Sequence, residues 1–207
     1  VCPGIEYANK QYSRDAFWQS LVLPPEYAAE CCRHEAGLRS EGAERPLFLL
    51  IWNWRTARTG DAPDLAAANW ALAYLRGHCR DGFYFSDHDP GRRDFQSWFD
   101  LGAFQPDDVL AYNQGLCAVA LAGAMRLGLD VPAGEAELAA RRYREMFDEA
   151  GGYFPHSLQK RVLCVDALVG DLLSWLLLDQ PLLAADQVRR HFERLQRVAR
   201  TEYGYKV

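Results

Sequence analysis

The sequence predicts an all-α chain whose helices lie in two layers. Apolar residues recur at spacings of three and four through most of the 207 residues, the pattern of a helix with one buried face. Clusters of Gly, Pro and Asp interrupt the pattern at short intervals. The segments between them are of two kinds, some apolar almost all round and others with a broad polar face, which suits an inner and an outer layer.

The first periodic segment is 26–39, followed by 46–58, which Pro46 opens and Thr59-Gly60-Asp61 closes. Pro63 restarts the helix over 63–79, since proline is tolerated in a first turn and glycine just past a last one. The segment 107–127 ends at Leu127-Gly128, and Pro132 precedes 134–149, whose Glu135, Glu137, Arg141, Arg142, Arg144 and Glu145 give it a polar face. Segment 162–178 is apolar almost all round, and Gln180-Pro181 separates it from 182–200. This makes about seven helices, whose short links force neighbours to run antiparallel as hairpins. No strict internal repeat supports a regular solenoid.

Composition narrows the classes. The chain is 49% hydrophobic and 25% charged, a globular balance that fits one domain over 1–207. Its net charge of -5 and scattered arginines give no basic footprint for nucleic acid. No apolar run reaches the roughly 18 residues of a membrane span, because Asp166 and Asp171 interrupt 162–178. The start, Val1-Cys2-Pro3-Gly4-Ile5-Glu6-Tyr7, carries neither the basic nor the apolar part of a signal peptide. Cys31 and Cys32 are adjacent, and Cys79, Cys117 and Cys164 sit in apolar helical patterns. Buried thiols in a reducing, cytoplasmic setting fit this better than a disulfide framework. No CxxC or HExxH spacing appears, so no metal and no cofactor is expected.

Three stretches break the helical pattern, 1–25, 80–106 and 151–161. The middle one is long for a helix connection and dense in aromatics and acids: Asp81-Gly82-Phe83-Tyr84-Phe85-Ser86-Asp87-His88-Asp89, then Asp94, Trp98, Phe99 and Asp100. Rings beside carboxylates are what a sugar site needs, because rings stack on pyranose faces and carboxylates hold hydroxyls or transfer protons.

The order of short motifs resembles the glucosidase domain of glycogen debranching enzymes and related six-hairpin glycosidases. Gln11-Tyr12-Ser13-Arg14-Asp15-Ala16-Phe17-Trp18 is similar to that family's Gly-Arg-Asp-Thr-Phe segment, and Thr59-Gly60-Asp61 to its Thr-Gly-Asp helix end. Asp81-Gly82-Phe83 stands where the family has Asp-Gly-Leu, and Ser97-Trp98-Phe99-Asp100 resembles its Thr-Trp-Met-Asp. Ala111-Tyr112-Asn113-Gln114-Gly115-Leu116 sits like its Asn-Ala-Leu-Trp-Tyr helix. The five matches fall in one order over 11–121.

This resemblance implies an (α/α) toroid of helical hairpins, of which the chain holds about seven of about twelve helices, incomplete at its C-terminal side. It implies an inverting glycoside hydrolase acting on an α-linked glucosyl or related sugar, with a carbohydrate as partner. Asp100 would be the general acid, and Arg14 and Asp15 would grip hydroxyls of the terminal sugar. The general base would come from a later hairpin, in a missing C-terminal half of the same protein. Inversion needs the acid and the base roughly 6.5 to 9.5 Å apart, and Trp98 and Phe99 would help keep Asp100 protonated.

Each candidate also has a plainer reading. Asp100 could cap the turn toward Gly102, and Arg14 and Asp15 could form a surface ion pair or a helix cap. Trp18 serves equally as core or as stacking platform. Tyr112, Asn113 and Gln114 would place a phenol and two amides near the mouth of the site, or Gln114-Gly115 could simply allow close helix packing. Asp87, His88 and Asp89 could form a hydrogen-bonding or metal cluster, although such a stretch between helices reads more simply as a solvated turn. His156 could face a cavity or be structural, while His34, His78 and His191 are read as structural. A sugar epimerase or isomerase using His88 and His156, or a non-catalytic helical binding module, fits the same architecture.

Overall fold

The computed structural model describes residues 13–38, 44–85, 108–201 and 204–205. Among these there are eight helices: α1 (Ser13–Ser20), α2 (Pro25–Leu38), α3 (Arg45–Arg58), α4 (Leu65–His78), α5 (Ala111–Arg126), α6 (Glu135–Glu145), α7 (Val169–Leu178) and α8 (Ala185–Val198). The odd-numbered helices pack side by side in the order α1, α3, α5, α7. The even-numbered α2, α4 and α6 each pack against the helix before them.

Side-chain hydrogen bonds fix the direction of the inner helices. Trp54 Nε1 and Arg58 Nη1 of α3 donate to the carbonyls of Leu177 (2.9 Å) and Leu176 (2.7 Å), and Arg126 of α5 donates to that of Leu178 (2.9 Å). The last turns of α3, α5 and α7 therefore meet at one end, and three carbonyls that a helix end leaves unpaired are satisfied. Arg55, also in the last turn of α3, donates to the Ser20 carbonyl at 2.6 Å and so gathers the end of α1 to the same side.

The hairpin links are held by buried polar groups. Asn53 accepts from the Asp64 backbone N–H at 2.7 Å, and Asp64 caps α4 by accepting from Ala67 N–H at 2.9 Å. Asp171 accepts from the backbone N–H groups of Leu182 (2.7 Å) and Leu183 (2.9 Å), closing the link to α8. Burial pushes the Asp171 carboxyl up, while those two bonds pull it down. At the centre, α5 is buried at nearly every position. Its Gly115 lies so close to Gly170 of α7 that a Cβ on Gly170 would stand 2.7 Å from the Gly115 carbonyl oxygen.

The structure corrects several expectations. The opening break contains α1. Helix 162–178 starts only at Val169, because 162–164 pairs in strand fashion: Pro155 bridges Leu163, and His156 N–H donates to Val162 O at 2.7 Å. Helix 107–127 begins at Ala111, after an extended Leu110 that bridges Ser157. The stretch after α4 opens with a hairpin of β1 (Cys79–Arg80) and β2 (Phe83–Tyr84). Its turn, Asp81-Gly82, has φ of 52° and 80°, the left-handed pair that a two-residue hairpin demands. A second short pair, β3 (Arg200–Thr201) and β4 (Gly204–Tyr205), follows α8. Cys31, Cys32, Cys79, Cys117 and Cys164 are unbridged.

Candidate functional site

If the last turns of the inner helices share one end, their first turns share the other, and the site lies there. Arg14 and Asp15 open α1, with Arg14 Nη2 3.4 Å from the Asp15 carboxylate. Glu44, at the N-cap of α3, makes no capping bond with its side chain and instead stands 3.8 Å from Arg14 Nη1. One guanidinium thus joins carboxylates from two inner helices.

Tyr112, the second residue of α5, completes this group. It is only 3% exposed, and its hydroxyl finds no hydrogen-bond partner among the described residues. Burial drives the phenol pKa well up, Glu44, Asp166 and Asp15 push the same way, and Arg14 opposes. The phenol therefore stays protonated and can both donate and accept. A buried hydroxyl left without a partner costs on the order of 1–3 kcal/mol, so the group is one a ligand hydroxyl would satisfy.

Asp166, in the link between α6 and α7, acts on the Tyr112 hydroxyl through its charge. Its Oδ1 accepts from the Cys164 thiol at 2.7 Å; burial first, and then the Asp166 charge and this bond, push the thiol pKa well up. His156 borders the same link. Its carbonyl accepts from Ala111 N–H, the first residue of α5, at 3.0 Å. Burial pushes its imidazole pKa down, against the pull of Asp166 and Asp108, with Lys160 adding to the fall; it is neutral near pH 7.

Arg14 thus joins Asp15 to Glu44, and Tyr112 lies within electrostatic reach of them and of Asp166; His156 is tied to the start of α5 through its main chain. Glu44 and Asp166 are residues that the sequence reading did not select. Gln114 is a correction. It is fully buried and faces away from the site: its Oε1 accepts from Tyr84 N–H (2.8 Å), and its Nε2 donates to the carbonyls of Gly82 and Ala139 (2.9 Å each). Both amide hydrogens are used to hold the β1–β2 hairpin and α6. Asn113 is buried at the start of α5. Trp18 is half-buried, edge-on to Phe17 at 5.7 Å between ring centres, and packs on the core. Asp100, Trp98 and the Asp87-His88-Asp89 run lie outside the described residues. His191 is structural: fully buried, its Nδ1 accepts from Phe154 N–H at 3.0 Å.

Among the described residues no group of three His, Cys, Asp or Glu could hold a metal ion, and no helix is long and apolar enough to cross a membrane. No known family model, curated protein or solved structure matches the chain.

Proposed function

We propose that the chain folds as helical hairpins of an (α/α) toroid that hydrolyses an α-linked glucosyl or related sugar with inversion. The observation that carries this reading is the meeting of Arg14, Asp15, Glu44, Tyr112 and Asp166 where parallel inner helices begin. Hydroxyl-bearing ligands are matched by carboxylates that accept, a guanidinium that donates and a phenol that does both. The packing order also supports a ring. α5 is flanked by α3 and α7, whereas α7 carries Leu172, Trp175 and Leu176, all about half exposed or more, a face on which a further inner helix would continue the series.

In this reading Asp100 protonates the departing glycosidic oxygen while a carboxylate outside the matched region deprotonates the attacking water on the other face of the sugar. Arg14 and Asp15 hold the terminal ring. Incubating the protein with maltose and maltotriose and following glucose release tests it. Asp100→Asn should lower the rate by about 10²–10⁴-fold; hydrolysis unchanged in that variant removes Asp100 from the acid role. The neutral His156 near Asp166 favours a second reading, a sugar epimerase or isomerase in which His156 moves a proton. Appearance of an epimer or ketose in the NMR spectrum of the same incubation, with no glycosidic cleavage, would select it.

A further inference from the structure

We propose that Cys79 and Cys117 form a peroxide-responsive dithiol pair, in which Cys79 is oxidised first and Cys117 resolves it to a disulfide that ties the end of α4 to the middle of α5. The pair is independent of the carbohydrate reading.

Two local devices bring the thiols together. Cys79 is the C-cap of α4, where its N–H donates to the Arg76 carbonyl, and it opens β1 in register with Tyr84 of β2. Cys117 lies three residues after Gln114, one turn along the same face of α5, and Gln114 holds the Tyr84 N–H and the Gly82 carbonyl. The clamp that fastens the hairpin to α5 therefore also sets one cysteine against the other. Their sulfurs are 3.9 Å apart, in hydrogen-bond contact. Closing to a disulfide brings them about 2 Å nearer, within the reach of side-chain rotation and a small main-chain adjustment at the end of the helix.

Exposure divides the roles. Cys79 is partly exposed, so an oxidant in solution reaches it, whereas Cys117 is fully buried. The bond with Cys79, and then burial, push the Cys117 pKa well up, so it waits as a thiol. The Cys79 thiolate attacks one oxygen of hydrogen peroxide, giving a sulfenic acid and hydroxide, which takes up the proton that Cys79 released and becomes water. The Cys117 sulfur then attacks the sulfenic sulfur; the S–O bond breaks, and the hydroxyl leaves with the Cys117 proton as a second water. Two thiols are oxidised and one peroxide is reduced. The partners are 38 apart in the sequence, so the bond closes a loop over 80–116 that carries the aromatic- and acid-rich stretch, and it restricts the unfolded chain.

The test treats the whole folded chain with an equal molar amount of hydrogen peroxide, blocks the remaining thiols with iodoacetamide and maps tryptic fragments by mass spectrometry. Cys79 and Cys117 fall in separate fragments, 77–80 and 94–126. These should appear joined, lighter by two hydrogens, and should separate on dithiothreitol. The oxidised chain should melt about 5 °C or more above the reduced one. Cys117→Ala should leave Cys79 as a sulfenic acid that dimedone labels several-fold above the wild type. Should that variant not fold, Cys79→Ala decides instead: its Cys117 should react with peroxide about tenfold more slowly than in the wild type. Absence of the joined fragment overturns the pair, as does Cys79 joined to a different cysteine. Cys79 unlabelled in the folded Cys117→Ala variant, or Cys117 oxidised as fast without Cys79, overturns the order of steps. An oxidised chain that melts no higher than the reduced one overturns the tie between α4 and α5.

Discussion

Gln114 and Tyr112 stand two residues apart in the first turn of α5, both buried, and the molecule treats them in opposite ways. On the Gln114 side every amide hydrogen is matched to a main-chain carbonyl, and the neighbours are the β1–β2 hairpin and α6. On the Tyr112 side the hydroxyl has no partner among the described residues, and the charges that act on it belong to α1, the start of α3 and the link before α7. The contrast teaches how to tell structural polarity from functional polarity in one helix. A buried group whose partners are all main chain is fastening the fold, whereas a buried group without a partner among the described residues is a candidate for binding.

Four measurements would break or sharpen that contrast. The largest effect is expected at Gln114→Ala, which leaves a cavity, strands Tyr84 N–H and takes one bond from the carbonyls of Gly82 and Ala139; chemical denaturation should show a loss of about 3–5 kcal/mol. Close behind, Gly170→Ala pushes a methyl into the backbone at Gly115. Overpacking against main chain should cost about 3–4 kcal/mol despite the better helix propensity of alanine, and a variant as stable as the wild type would mean that α5 and α7 are not in close contact.

The third concerns His191, which burial pushes down to about 4, against smaller upward pulls from the Cys164 main chain and Asp166. Its Nδ1 accepts from Phe154 N–H, so the neutral ring carries its hydrogen on Nε2. Because the folded value lies below the ordinary 6.5, the unfolded chain binds the extra proton between those limits. The stability due to the neutral ring is therefore complete above about 6.5 and lost as pH falls toward 4, a change of roughly 2–3 kcal/mol. Melting curves across that range should show it, and His191→Asn should flatten it. Smallest of all and opposite in sign, Tyr112→Phe should raise stability by about 1 kcal/mol, because it removes a buried hydroxyl that lacks a partner. A loss above about 1.5 kcal/mol would place a hidden partner on the hydroxyl and dissolve the contrast.

The sequence was readable where periodicity and stop signals coincide. Segments 46–58 and 63–79 come within two residues of α3 and α4, because Pro46, Thr59-Gly60-Asp61 and Pro63 act locally whatever the rest of the chain does. It was misleading at 162–168, where an apolar run has the composition of a buried helix but pairs with 154–158 through its main chain. Only tertiary neighbours distinguish those outcomes. α1 passed unseen because eight residues carry too few turns for a period to show. The Asp81-Gly82 turn was the one strong signal left unused for structure.

For the site, helix starts were legible and the partners between them were not. Arg14, Asp15 and Tyr112 each sit at the start of a helix, a place that sequence can mark. Glu44 was within reach of the same logic, as an acid just before a proline-opened helix. Asp166 was not: a lone acid in an apolar run says that the run will not cross a membrane, and says nothing of the Cys164 thiol that holds it.

The parallel arrangement of the inner helices has one more consequence. Each helix start carries about half a positive charge from its aligned peptide dipoles, and α1, α3 and α5 start at the acid cluster, with α7 beginning three residues after Asp166. Roughly two positive charges of pure backbone thus stand behind Asp15, Glu44 and Asp166. That field involves no titratable group, so acid or base cannot remove it. It favours the two carboxylates that meet at Arg14, and it would persist through any substitution of Arg14.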